Sequence, residues 1–317
     1  MKKEITIIKE AGAAVEVAAQ AVKVLNAVAE QYDHYFNLNP VAAAIGQPAG
    51  DATLFSGIAT QRAIEKELPV MVTVQPVTVY TSLQHLSPLK PKHSEGLNLL
   101  LYQVQTADLH HQGRIIQSAL QQAINRKKQI TVVADPEDPE QVSWLAALEK
   151  AGKEYKEIRV EQIAVQEAWD RMLQQPSGFD TIITHKAAGD YLFSQAAAIT
   201  GARFMIPSVR VAGPMPFFGP AYAFDQHEES ARNVSNPVGA ILSIAMMMDY
   251  FNLHEEALII RTAVNWTLLH GFVAKDMDAV NNYSTSTIGD LISDFIRGTI
   301  PGFAKGENMA LQKSTII

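Results

Sequence analysis

The chain of 317 residues contains no cysteine. Disulfides, thiolate catalysis and cysteine-ligated zinc are therefore excluded, and a reducing, cytoplasmic setting is expected. Charge is also sparse: charged residues make up 19% of the chain, the net charge is −7, and no long Lys/Arg run occurs. Nucleic acid and anionic membrane both require a basic footprint, so neither is an expected partner. The small cluster Arg126-Lys127-Lys128 reads as the solvated end of a helix. Long apolar runs are missing too. The longest, Val238 to Met248, is only about half of the ~20 residues a membrane span needs, and it ends at Asp249. Met1-Lys2-Lys3 leads straight into the strand-like Ile5 to Ile8, too short for a signal-peptide core. No Walker-type phosphate loop occurs, and Ser87, Ser194 and Ser208 lack a nucleophile elbow or base partner.

What the chain does have is apolar content of 47%, enough to bury the core of one large or two moderate domains. Short apolar strands alternate with longer amphipathic helices, the pattern of an α/β fold with a largely parallel sheet. Strands are expected at Ile5 to Ile8, Val70 to Tyr80, Leu97 to Val104, Ile130 to Ala134, Ile158 to Val160 and Thr181 to Ile183. Helices are expected at Ala13 to Tyr32, Arg114 to Arg126, Pro139 to Gly152, Ala164 to Gln174, Pro237 to Tyr250, His254 to His270 and Thr287 to Ile296. Ser208 to Tyr222, with Pro214, Pro216 and Pro220 among its glycines, reads as a loop.

Segments along most of the chain resemble, in sequence order, the isocitrate/isopropylmalate dehydrogenase family of metal-dependent β-decarboxylating dehydrogenases. ITIIKEAGAAVEVAAQAVKVL is similar to the family's first strand, glycine-rich turn and helix, and QPVTVYTSLQHLSPLK to its Arg-Pro strand. Gly189-Asp190-Tyr191-Leu192-Phe193-Ser194 stands where the family has Gly-Asp-x-x-Ser-Asp, and Asn236-Pro237 opens a helix like the one behind its adenine-binding loop. The resemblance implies a two-domain α/β fold with a central sheet flanked by helices. It implies a terminal, cofactor-type domain at 1–70 plus 201–317, a central, dimer-forming domain at 71–200, and a homodimer.

The same resemblance implies NAD or NADP with magnesium or manganese, and a 2-hydroxy acid as substrate, but position by position the polar groups differ. Three arginines that would grip substrate carboxylates are matched by Glu65, Gln75 and Gln103, with Arg62 as the nearest substitute. Of the cation's acids, Asp190 survives, while Ser194 and Gln162 are neutral. Asp190 also reads as an N-cap for a helix over Tyr191 to Thr200, and the two roles are compatible. Pro136 falls at the catalytic lysine and His110 near the catalytic tyrosine. The family's extra arm is missing here, so His110 and His111 read as loop residues. At the cofactor end Gly12 and Glu16 remain of the first turn, and Asn236 remains behind the adenine loop, where Ala223 replaces a stacking histidine in Ala223 to Glu228. Asn236 before a proline also reads as an ordinary cap.

Gly12 and Asn236 are thus the candidate cofactor positions, Asp190 the candidate metal position, and no catalytic residue is assigned. Pairs such as His227-Glu228 and His254-Glu255 read as solvated helix starts, and Met246 to Met248 as core. The expected function is a family member that has lost oxidative decarboxylation, acting as a non-catalytic, regulatory or small-ligand-binding homologue. One alternative is an active NAD(P)-dependent oxidoreductase on an atypical 2-hydroxy acid, with at least two further acids beside Asp190. A cleft filled by Phe217, Phe218 and Phe224 would count against that alternative. Another is a structural dimeric scaffold.

Overall fold

The computed structural model describes residues 1–42, 50–135, 145, 146, 148, 150, 152–224 and 233–299. In chain order the elements are β1 (Lys2–Ile8), α1 (Ala13–Tyr32), β2 (Tyr35–Val41), β3 (Ala52–Leu54), α2 (Ile58–Glu67), β4 (Val70–Thr78), α3 (Pro91–Ser94), β5 (Asn98–Val104) and α4 (Leu109–Ile124). There follow β6 (Gln129–Val133), β7 (Arg159–Ile163), α5 (Val165–Gln174), β8 (Thr181–His185), α6 (Lys186–Thr200), β9 (Pro207–Ala212), β10 (Met215–Pro220), α7 (Val238–Tyr250), α8 (His254–Leu269) and α9 (Thr285–Arg297). Of the described residues, 1–68 and 202–299 form one compact unit and 69–201 the other.

In the first unit the described strands run β2-β1-β3-β10-β9, parallel except for the antiparallel β9–β10 pair. α1 carries apolar residues at Val17, Ala21, Val24, Leu25 and Val28, the spacing of one helix face, and all are fully buried. It packs against α9 and α7. α7 is apolar around most of its circumference and is accordingly buried from Val238 through Ala245. α9 is capped by Ser284, whose side chain accepts the Thr287 N–H, and stops at Gly298 in the left-handed region at φ 71°. Phe217 and Phe218, on β10, are each 1% exposed, and Phe224 stacks on Phe204 at 5.5 Å, so these aromatics belong to this unit's core.

The second unit orders its described strands β4-β5-β8-β6-β7, with β4 antiparallel to β5 and the rest parallel. β5 is buried almost throughout, as a central strand covered on both faces must be. Each of its leucines contributes about 1.5–3 kcal/mol on burial. Successive β5 residues point to opposite faces. Tyr102 meets α4, its hydroxyl 3.4 Å from Ser118 Oγ, while Gln103 meets Gly189 of α6.

Several expectations change. The proline-rich 208–222 segment is the β9–β10 hairpin, Phe217 opposite Arg210 and Phe218 opposite Val209. β10 pairs with β3 only at Phe217 and Phe218, so Pro216 and Pro220 fall outside that pairing and their missing N–H groups leave it intact. α4 begins at Leu109, five residues before Arg114, because Asp108 caps it. Arg126 is not a solvated helix end. Its Nε donates to Asp180 Oδ1 at 2.8 Å and its Nη2 to Asn98 O at 2.7 Å, with Asp180 fully buried. Most of the expected helix Pro139 to Gly152 lies outside the described residues, but Leu145, Ala146, Leu148 and Lys150 are helical.

Candidate functional site

Asp190 sits one turn inside α6, which starts at Lys186 behind the extended His185. It is therefore not an N-cap. Its carboxylate pairs with Lys186 one turn back, Nζ to Oδ2 3.2 Å, and roughly half of each side chain is exposed. Ser194, one turn on, donates its hydroxyl to the Asp190 carbonyl at 2.8 Å. One carboxylate, with an ammonium on it and a neighbouring hydroxyl turned to the backbone, is a poor donor set for magnesium or manganese. Gln162 is an exposed amide on β7. Among the described residues no three His, Asp or Glu side chains converge to hold a metal. The alternative's expectation of at least two further acids beside Asp190 thus finds no cluster among those residues. Pro136 lies outside the described residues.

The three arginine-matching positions separate into two arrangements. On β4 and β5, Gln103 stands opposite Thr73 and Gln75 opposite Leu101, so the two glutamines are diagonal neighbours on one face. Gln103 Nε2 donates to Gln75 Oε1 at 3.0 Å, and the residues are 2% and 4% exposed. Gln105 Nε2 donates to Thr73 Oγ1 at 2.9 Å beside them, and Thr184 of β8 lies in register with Gln103. Above this stripe comes α6 at Gly189, where a Cβ would lie 2.6 Å from Gln103 Cγ and 3.1 Å from Thr184 Cγ2. A glycine is required there because the Gln103 side chain fills the space.

Glu65, on α2, accepts from Arg210 Nε at 3.0 Å. Arg210 is 3% exposed, donates also to Ser208 Oγ at 2.7 Å, and has the Phe55 ring 5.6 Å from its guanidinium carbon. This arginine was not singled out in the sequence, because residues 65 and 210 are far apart in the chain and only the β9 fold-back joins them. Arg62 is exposed.

His110 and His111 lie in the first turn of α4 instead of a loop, their rings 5.9 Å apart. The His111 backbone N–H, foremost, holds the Asp108 carboxyl below the usual carboxylate range.

At the other proposed site, Gly12 precedes α1 with φ 60° and Glu16 occupies the first turn, its carboxylate accepting the Asn233 N–H at 2.6 Å. Glu10, overlooked in the sequence, accepts from Ser56 N at 3.3 Å and Thr60 Oγ1 at 3.1 Å, and so lies on the N-terminus of α2. Helix N-termini receive anions, and at α2 that place is taken by the Glu10 carboxylate. Asn236 is 2% exposed; it accepts the N–H of Val238, the first residue of α7, at 3.0 Å and donates to Asp276 Oδ2 at 3.2 Å. Ala223 offers no ring to stack on adenine, and residues 225–228 lie outside the described residues.

Known proteins share both the sequence profile and the fold. The family profile described as Isocitrate/isopropylmalate dehydrogenase matches residues 102–292. The 3-isopropylmalate dehydrogenase of Priestia megaterium is 28% identical over 89% of this chain and 92% of its own length. That of Thermotoga maritima is 29% identical over 73% and 72%. Among solved structures, isocitrate dehydrogenase from Methylococcus capsulatus superposes with a TM-score of 0.73 at 18% identity, covering 93% of this chain and 99% of that one. The TT0538 protein of Thermus thermophilus gives 0.77 at 18% identity over 97% and 70%. The described helices include none long and apolar enough to cross a membrane. By its sequence profile, the chain belongs to the isocitrate/isopropylmalate dehydrogenase family.

Proposed function

We propose that this family member does not perform metal-dependent oxidative decarboxylation and serves instead as a non-catalytic, small-ligand-binding or regulatory homologue, assembled as a cytoplasmic homodimer through its central unit. The observation that carries the reading is the buried Gln75–Gln103 amide pair at positions where the resemblance calls for arginines. A dianionic or trianionic hydroxy acid needs cations to replace its water, and two neutral amides supply none. The Lys186–Asp190 pair acts in the same sense, since an ammonium already neutralises the carboxylate that a divalent ion would need.

The test is an assay of NAD⁺ and NADP⁺ reduction with isocitrate, 3-isopropylmalate, malate and tartrate, each with magnesium and with manganese. No turnover above background is expected. Steady, enzyme-proportional reduction with any of them overturns the reading.

The second reading is an active NAD(P)-dependent oxidoreductase, favoured by the relatives named 3-isopropylmalate dehydrogenase. In it the substrate is an atypical 2-hydroxy acid, and other residues serve the metal or cofactor beside the candidate positions Gly12, Asn236 and Asp190. Light scattering checks the dimer common to both, and to a purely structural scaffold; a monomer removes it.

A further inference from the structure

We infer that the Gln75–Gln103 pair is a recognition element for an uncharged carboxamide group of a small ligand. The inference rests on the proposed loss of carboxylate binding at these positions and names what takes its place.

The two side chains are more than nine-tenths buried and spend one donor and one acceptor on each other. The other halves of the amides, Gln75 Nε2 and Gln103 Oε1, have no partner among the described residues, yet neither is sealed from solvent. Buried polar groups are normally paired. Around them the neighbours are committed elsewhere: Gln105 to Thr73, and Thr184 Oγ1 to Val133 O at 2.8 Å. The backbone of α6 lies close above at Gly189. Gln103 and Thr184 also sit one residue from the carboxyl ends of β5 and β8, the side of a parallel sheet where ligands bind.

The class of ligand follows from the hydrogen-bond inventory. An amide pair joined by one N–H···O bond always leaves one NH₂ and one C=O unspent, whichever way both amides are rotated. The complement is a group with one acceptor and one donor close together, which a primary carboxamide provides. A carboxylate offers acceptors only, so it leaves the unspent carbonyl unmet and brings an uncompensated charge into a nearly closed site.

The experiment is a calorimetric titration of the full chain, without cofactor or metal, with malamide, the neutral diamide of malate, and with malate itself. Malamide is expected to bind, with malate weaker by roughly tenfold or more, the cost of one unmet hydrogen bond. Gln75→Met and Gln103→Met keep side-chain volume, and each is expected to abolish malamide binding while circular dichroism stays unchanged. Where a variant fails to fold, side-chain amide NMR of the wild type replaces it: the Gln75 and Gln103 NH₂ resonances should move with malamide. Malate binding as tightly as malamide, no binding of malamide at millimolar concentration, or binding that leaves those resonances still overturns the inference. Turnover in the dehydrogenase assay is a separate result that overturns the proposed function alone.

Discussion

Arg126 and Asp180 form a buried ion pair, Nε to Oδ1 2.8 Å, that ties the segment after α4 to the start of β8. Asp180 Oδ2 also accepts the Lys127 N–H at 3.0 Å, so both carboxylate oxygens are satisfied without water. Removing one partner strands the other charge. Asp180→Ala should therefore cost about 3–5 kcal/mol in urea unfolding, and an unchanged midpoint would show that the pair is not buried in solution.

Asp190→Asn tests the candidate metal position. The pair with Lys186 is exposed and has the less favourable order, with the base N-terminal to the acid, so its loss should change stability by no more than about 0.5 kcal/mol. Neither wild type nor variant should gain thermal stability with manganese. A manganese-dependent rise in the wild type that the variant lacks would restore the metal reading.

Gly189→Ala brings a methyl group 2.6 Å from Gln103 Cγ. Helix propensity favours alanine by about 1 kcal/mol, but overpacking a buried contact costs about 1–3 kcal/mol. The net expectation is a lower melting temperature, with loss of malamide binding as Gln103 is displaced. A variant more stable than wild type would place Gln103 elsewhere.

Acid sensitivity should be traceable to Asp51. Its carboxyl is held below the usual carboxylate range, foremost by the Glu4 backbone N–H and also by Lys3. A carboxylate whose folded pKa is depressed contributes stability above its unfolded value, and that stability is lost as pH falls through the folded value. Asp51→Asn should be less stable than wild type near neutrality, and the gap should close on acidification below about pH 4. A gap constant with pH in denaturant titrations would assign the loss to packing.

Tyr102 behaves in the opposite sense. Burial raises its phenol from 10.0 to about 12. Its contribution is complete below the unfolded value and is lost as pH rises through the folded one. Tyr102→Phe should consequently lose less stability than wild type between those two values, as read by alkaline unfolding curves.

These residues differ in how far the chain itself disclosed them. Alternating strands and helices were legible because period-2 and period-3.6 burial follow from backbone geometry alone. Gln75 and Gln103 were legible as replacements, since position in a resembling segment needs no coordinates. Their mutual hydrogen bond was not, because it depends on the β4–β5 register pairing residue 103 with 73 and 75 with 101. Asp190 reads as a cap in the sequence, but the helix already starts at Lys186, one turn earlier. The β9–β10 hairpin was hidden by its prolines, and it is tolerated because β10 meets β3 at only two residues.

Sequence by itself determined the α/β class, the family resemblance and, through that resemblance, the replacement of arginine at residues 65, 75 and 103, since each depends on residue type and order. Tertiary structure alone decided that Glu65 faces Arg210, that Arg126 is buried on Asp180, and that two glutamines join into one amide pair under Gly189. The reason is physical: such partners lie 28 to 145 residues apart along the chain, and only packing of strands against helices brings their few polar atoms within hydrogen-bonding reach.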